Sequence, residues 1–373
     1  MTGSGPSGEA TQQSVNPAGA GGKAAEPPLY AGDMAAHTEL VDSFGRRIQD
    51  LRISVTDRCN FRCTYCMPEE GLEWLDRSEV MSFEEIERLA RTFVERYGVE
   101  GIRLTGGEPT VRAKLPVLVE KLAALEHAGG PIDLSMTTNG ATMRHLAPKL
   151  RAAGLARVNI SLDTLQRDKF HRMTRRDELD AVLDGIAAAQ EAGFSPVKIN
   201  CVVERGVNDD ELVDLARFGR NENVEVRFIE FMPLDADGQW GNDTVVGQDE
   251  IVERIGAEFP LEVMPARGAA PADRFRYLDG DATQPGGRIG VIPTVTKPFC
   301  GDCDRVRLTA SGEFRTCLFA TDEFDLLTAL RAGETDDELA ARIERAVGTK
   351  WAGHQINQVT FTRPTKSMSQ IGG

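Results

Sequence analysis

Leu51-Arg52-Ile53-Ser54-Val55, followed closely by Cys59-Asn60-Phe61-Arg62-Cys63-Thr64-Tyr65-Cys66, is the stretch on which the reading of this chain turns. The first run is mostly apolar and reads as a β-strand. Three cysteines, spaced C-x3-C-x2-C, then fall on the loop that leaves it. Three thiolates this close can grip three irons of a [4Fe–4S] cluster and leave the fourth iron without a protein ligand. An open position at a metal is where an outside molecule can bind and react. A zinc site and buried free thiols are the other readings. Zinc prefers four closed ligands, commonly in C-x2-C pairs. Disulfide geometry is hard to satisfy between cysteines so near on one loop.

Composition bounds the setting. A length of 373 residues allows one large domain or two ordinary ones, and 41% hydrophobic residues suffice for a core. No apolar run nears the ~20 residues of a membrane span, so no membrane partner is expected. The N-terminus is polar and rich in Gly, Pro and Ala, unlike a secretory signal. Seven cysteines without an export signal point to a reducing, cytoplasmic compartment and to metal binding. A formal charge of −15 excludes non-specific nucleic-acid binding as a natural role. An anionic ligand would need basic side chains gathered in one place.

Residues 1–38 lack periodicity and are expected to form a disordered leader. Strand-then-helix units follow. Strands are expected near Arg52–Thr56, Gly101–Thr105, Asp133–Thr138, Arg157–Leu162, Val197–Val203 and Val224–Phe231. Helices are expected near Ser82–Tyr97, Lys114–Glu126, Met143–Ala153, Glu178–Ala192 and Asp209–Phe218. Ser82 and Glu85 form a capping box at the first of these. The alternation implies a parallel sheet with helices outside and ligands at the carboxyl strand ends. After residue 247 come a helix near Asp249–Phe259, four short strands and two more helices. The expected division is a barrel over 39–247, a C-terminal region over 248–348, and a tail over 349–373 ending Gly372-Gly373.

That C-terminal region holds Cys300, Cys303 and Cys317, a C-x2-C-x13-C trio. A structural zinc ion would need a distant fourth ligand, with His354 as the downstream candidate. The alternative is a second [4Fe–4S] cluster with a free iron offered to a substrate. Arg305 and Arg307 follow directly and lie on one face of a strand. Guanidiniums beside an open iron suit an anionic, nitrogen-bearing substrate, while a solvated basic strand face is the plainer reading. Cys201, mid-strand, reads as a small buried hydrophobe.

The first triplet, with an aromatic before its last cysteine, resembles the radical S-adenosylmethionine (SAM) superfamily. This favours an α/β fold with a partial (βα)6 barrel. Closer still is the GTP 3′,8-cyclase family of molybdenum-cofactor biosynthesis. The resemblance runs from about Leu40 to the end. It rests on Arg52 to Asn60, on Gly106-Gly107-Glu108-Pro109, on Thr137-Thr138-Asn139-Gly140 and on Arg157 to Asp163. Val197 to Asn200, Ile229 to Met232, Phe299 to Arg307 and the terminal Gly372-Gly373 complete it.

The resemblance implies a lyase using SAM and two [4Fe–4S] clusters, one on Cys59, Cys63 and Cys66, the other on Cys300, Cys303 and Cys317. A 5′-deoxyadenosyl radical would take the 3′ hydrogen of GTP, and the ribose radical would add to guanine C8. The product would be (8S)-3′,8-cyclo-7,8-dihydroguanosine 5′-triphosphate. No catalytic side chain is implied beyond the clusters and SAM. SAM would meet Tyr65, Gly107, Ser161 and Met232, with Gly106 and Gly107 letting bare backbone approach it. GTP would meet Arg52, Arg103, Thr137, Lys198, Arg305, Val306 and Arg307, and the tail, Gly372 and Gly373, would enter the site. Implied partners are an electron donor, the downstream cyclic pyranopterin monophosphate synthase and, as an allowed assembly, a homodimer. The alternative is another radical SAM enzyme with an auxiliary cluster, such as a peptide-modifying maturase.

Overall fold

The computed structural model describes residues 38–372 apart from 236–237, 266–267, 357 and 360. The expected leader (but for Thr38) and Gly373 lie outside the described residues. Strand β1 spans Asp50–Ser54 and β2 spans Gly101–Thr105. A separate hairpin pairs β3 (Glu126–His127) with β4 (Gly130–Pro131). Then come β5 (Asp133–Thr138), β6 (Arg157–Ser161), β7 (Lys198–Val203) and β8 (Glu225–Glu230). The second half adds β9 (Leu261–Val263), β10 (Asp273–Tyr277), β11 (Arg288–Ile292), β12 (Arg305–Leu308), β13 (Glu313–Arg315) and β14 (Phe324–Asp325).

One sheet carries twelve strands in the order β14-β13-β12-β1-β2-β5-β6-β7-β8-β11-β10-β9. The six strands expected from the first half run parallel at its centre. Two strands of the second half extend that parallel run, β12 beside β1 and β11 beside β8. The terminal strands β14 and β9 do not pair with each other, so the barrel stays open.

Strand alternation explains both faces. In β1, Leu51 and Ile53 are fully buried in the main core, and Val306 and Leu308 of β12 join them there. A parallel sheet buried on both faces usually reads as continuous apolar sequence. Here every second residue is polar instead: Asp50 and Arg52, Arg103, Ser135 and Thr137, Asn159, Lys198 and Asn200, Arg227, Arg305 and Arg307. Residues from β1, β2, β5, β6, β7, β8, β11 and β12 line one cavity, so the sheet curls around these polar positions.

The first helix has its capping box and runs Phe83–Arg91, then loosens into a π-turn over Thr92–Arg96. A helix at Arg167–Thr174 had no counterpart in the sequence reading. It matters locally, because the carbonyls of Thr174 and Met173 accept the backbone N–H groups of Arg62 and Thr64, which fastens the cysteine loop.

Candidate active site

Two chambers meet inside the curl. The upper one, of about 130 Å³, opens at the carboxyl ends of β1, β2 and β6 and contains Cys59, Cys63 and Cys66 beside Gly106, Gly107 and Ser161. The lower one, of about 230 Å³, contains Cys300, Cys303 and Cys317 with Arg52, Arg103, Arg305 and Arg307. Tyr65, Thr137, Ser161, Asp163 and Met368 line both. The expectation that ligands sit only at carboxyl strand ends is therefore incomplete. Cys303 precedes β12, whose first residue Arg305 pairs with Asp50 at the start of β1. The second trio lies at the amino end of that strand pair.

The upper loop is built tightly. The carbonyl of Cys63 accepts the N–H groups of Cys66 and Met67, each at 2.9 Å. Arg62 and Arg176 hold the loop through the carbonyls of Cys59, Phe61 and Asn60. Burial pushes the Cys59 thiol up to about 11 and the Cys66 thiol up to about 12, and it raises Cys63 too. Thiols so disfavoured as free anions need a metal to hold them as thiolates.

Two carboxylates here were not singled out from sequence. Glu108 receives Thr110 through both N–H and hydroxyl, the hydroxyl of Thr138 and the N–H of Asn139. Burial pushes its carboxyl up, and all four hydrogen bonds oppose that by favouring the carboxylate. Asp163 accepts the Tyr65 hydroxyl at 2.7 Å and the Val202 N–H at 2.8 Å. Burial raises its carboxyl to about 6. Gly106-Gly107-Glu108-Pro109 and the run from Arg157 to Asp163 carried the signal, since each places an acid just past a strand.

The fold supplies its own reason for the two glycines. A Cβ on Gly106 would sit 2.5 Å from the Thr56 carbonyl, and one on Gly107 would sit 2.4 Å from that of Arg58. Their bareness is required by the neighbouring loop of β1, whatever else approaches them.

The lower chamber is cationic. The Arg52 guanidinium is held well below its usual range by burial, then by Arg307 and Arg103; Asp50, 3.8 Å away, opposes this. Burial likewise lowers Arg103 and brings Arg307 to about 10. Among the described residues, the buried Nε atoms of Arg52 and Arg103 find no hydrogen-bond acceptor. Arg227 is paired with Glu225 at 2.6 Å, and Arg305 lies 4.8 Å over the Phe299 ring. Arg307 donates to the carbonyl of Gly372, which brings the tail into the chamber.

Other expected site residues fall elsewhere. Met232 lines the lower chamber rather than the upper. Lys198 lines neither; burial and Arg227 bring its ammonium to about 7. Val306 points into the core with a fully buried side chain, so only its main chain can serve a ligand. The zinc reading also loses its fourth ligand. His354 turns Nε2 to the carbonyl of Thr294 at 2.7 Å, and its ring packs on Phe319. Among the described residues, no group of three or more His, Cys, Asp or Glu converges closely enough to cage a single ion. Three thiols on one short loop, as in the upper chamber, are a donor set that fits a [4Fe–4S] cluster.

A curled parallel sheet with a thiol triplet at its carboxyl end defines the radical SAM class. Residues 53–219 match the model of the radical SAM superfamily, and residues 224–356 match that of Molybdenum Cofactor Synthesis C. The structure of Streptococcus suis SuiB bound to S-adenosylmethionine shares the fold, with a TM-score of 0.51 at 12% identity over 73% of this chain and 60% of that one. The GTP 3′,8-cyclase of Streptomyces coelicolor is 48% identical over 336 residues, covering 90% of this chain and 96% of that protein. The GTP 3′,8-cyclase of Rhodopirellula baltica is 48% identical over 347 residues, covering 92% and 95%. The chain belongs to the GTP 3′,8-cyclase family, and like other radical SAM enzymes it uses a [4Fe–4S] cluster and SAM.

Proposed function

We propose that GTP lies in the arginine chamber, between SAM above it and a second [4Fe–4S] cluster on Cys300, Cys303 and Cys317 below. The chain is a lyase that joins ribose C3′ to guanine C8 of GTP, the first step of molybdenum-cofactor biosynthesis. The observation that carries the placement is a set of buried guanidiniums on one concave face, two of them with orphaned Nε atoms. Asp50 and Asp304 pair only loosely with Arg52 and Arg305, at 3.8 Å and 3.5 Å, and buried charges so weakly compensated are costly. A triphosphate supplies the missing anion, and guanidiniums bind its oxygens bidentately.

SAM bound at the first cluster supplies a 5′-deoxyadenosyl radical. The protein's own residues do the rest of the work. Arg52, Arg103, Arg305 and Arg307 draw in the triphosphate, with Lys198 behind them and Thr137 adding a hydroxyl. Tyr65, Gly107 and Ser161 shape the walls on the SAM side, Tyr65 being fixed by Asp163, while Met232 reaches SAM from the wall of the arginine chamber. The sheet and the inserted tail exclude water around the reacting carbon. The division into a barrel (39–247), a second-cluster region (248–348) and a tail (349–373) is part of this proposal. So are a cytoplasmic setting, an electron donor, a homodimer and delivery of product to cyclic pyranopterin monophosphate synthase. No helix among the described residues is long and apolar enough to cross a membrane.

Anaerobically reconstituted protein should hold about eight irons per chain. With SAM and a reductant it should convert GTP, and not ATP, to an isomer-mass product that requires both. About four irons, with Cys317 open to alkylation, would remove the second cluster from this account.

The proposal also sets a pH dependence. Free Lys198 titrates near 7. A bound triphosphate favours its charged form and raises that value. Binding therefore takes up a proton between the two values, so affinity is full below the free value and declines as pH rises above it. From about pH 7.5 to about pH 9, the dissociation constant of GTP should rise by up to about tenfold per unit. Lys198→Met should bind GTP more weakly at neutral pH and lose this slope. Calorimetry in buffers of different ionisation heat reads both, and an equal slope in the variant would contradict the assignment.

A further inference from the structure

Lys350 lies beneath the second thiol triplet and is only 3% exposed. An ammonium has three donors and no acceptor. All three are used here: the carbonyl of Thr316 at 2.5 Å, the carbonyl of Arg305 at 2.8 Å and Sγ of Cys303 at 3.9 Å. Thr316 immediately precedes Cys317, and Arg305 stands two residues after Cys303. One side chain thus ties together the two segments that the thirteen-residue spacer separates.

Its charge is the unusual part. Among the described residues, no Asp or Glu forms an ion pair with Lys350. Arg46, which anchors the same turn from the other side through the carbonyls of Cys300, Trp351 and Ala352, is paired with Asp42 at 2.6 Å. A buried ammonium without a counter-charge is strongly disfavoured. Asp304 lies within electrostatic reach of Lys350 without pairing with it, and the anion within hydrogen-bond reach is the Cys303 sulfur once it is a thiolate. A cluster held by three thiolates carries negative charge, and more of it when reduced.

We propose that Lys350 is the counter-cation of the second cluster, a positioning residue that gathers its ligand segments and raises its reduction potential. This rests on the reading that Cys300, Cys303 and Cys317 hold an iron–sulfur cluster. A donor on a cluster sulfur and a fixed positive charge beside it both stabilise the reduced state, and such outer contacts set cluster potentials. Lys350 touches no substrate in this role.

Lys350→Met keeps the length of the side chain and removes charge and donors; Lys350→Gln keeps an amide donor without the charge. Both are reconstituted anaerobically beside the unaltered protein, and iron content and EPR-monitored redox titrations are compared. The unaltered protein should show two clusters. In the variants the first cluster should keep its midpoint, and the second should become harder to reduce by at least tenfold in equilibrium constant, about 59 mV for one electron. Lys350→Gln should assemble both clusters and decide the potential even where Lys350→Met loses about four irons. Full iron and two unchanged midpoints in both variants would overturn the role of Lys350. A single cluster in the unaltered protein would instead overturn the two-cluster reading on which it stands.

Discussion

Cys63→Ala should hold about four irons instead of about eight and should yield no cyclised GTP above the level without SAM. Cys63 is the middle cysteine of the triplet, and its carbonyl turns the loop by accepting from Cys66 and Met67. Alanine preserves that backbone turn, so the loop can form while the cluster cannot be held by two thiolates. The loss is of the whole chemical capacity of the upper chamber. Enzymes gain ~10⁶-fold or more over the uncatalysed reaction, and none of that gain survives without the radical source. Cys201→Ala is the matched control. Cys201 is fully buried between β6 and β8, faces the core and belongs to neither triplet. It should keep full iron and turnover, with a modest stability loss from the small cavity. Iron analysis, EPR and product mass read the contrast. Turnover by Cys63→Ala within tenfold of the unaltered protein would remove this triplet from its assigned role.

The central sheet was legible because its strands declare themselves: Gly101–Thr105 and Asp133–Thr138 start and stop where expected. Glycines and capping residues mark the helices between them. The partnership of β12 with β1, whose paired residues Asp50 and Arg305 lie far apart in the chain, and of β11 with β8 was not legible, because pairing between strands distant in sequence leaves no local trace. That pairing is what carries the second trio to the amino end of β1 and makes one continuous cavity out of two sequence halves. The helix at Arg167–Thr174 escaped because it is short and highly charged, with Phe170 and Met173 as its only buried large apolar side chains. Alternation gave Arg305 and Arg307 a common face, and the resemblance added Arg52 and Arg103 on neighbouring strands. It could not show that Lys198 stays out of the chamber wall, since depth depends on strand stagger. Val306, adjacent to two chamber arginines in sequence, faces the core by the same alternation.

The tail offers the second large effect. Gly372 adopts φ +76°, a left-handed conformation that a side chain resists. A Cβ there would lie 2.6 Å from Ser54 Oγ and 3.1 Å from Thr105 Oγ1, at the ends of the first two strands. Its carbonyl receives the Arg307 guanidinium, and Ile371, fully buried, packs the preceding residue into the smaller core with Phe319 and Leu234. Burying one such side chain is worth ~1.5–3 kcal/mol, enough to dock a short tail without fixing the rest of the fold. Gly372→Val keeps that anchor and breaks the last step of insertion. It should leave iron content and thermal stability close to normal, because neither triplet depends on Gly372. Turnover should fall by ~100-fold or more, the scale expected when a positioning group moves by about an ångström. Removing Gly372 and Gly373 together should act similarly, since it also frees the Arg307 guanidinium from its carbonyl. SAM cleavage uncoupled from GTP consumption would be the signature, because the upper chamber keeps its parts while the lower one loses a wall. Turnover within threefold of normal in both variants, with the clusters intact, would mean that the tail closes nothing.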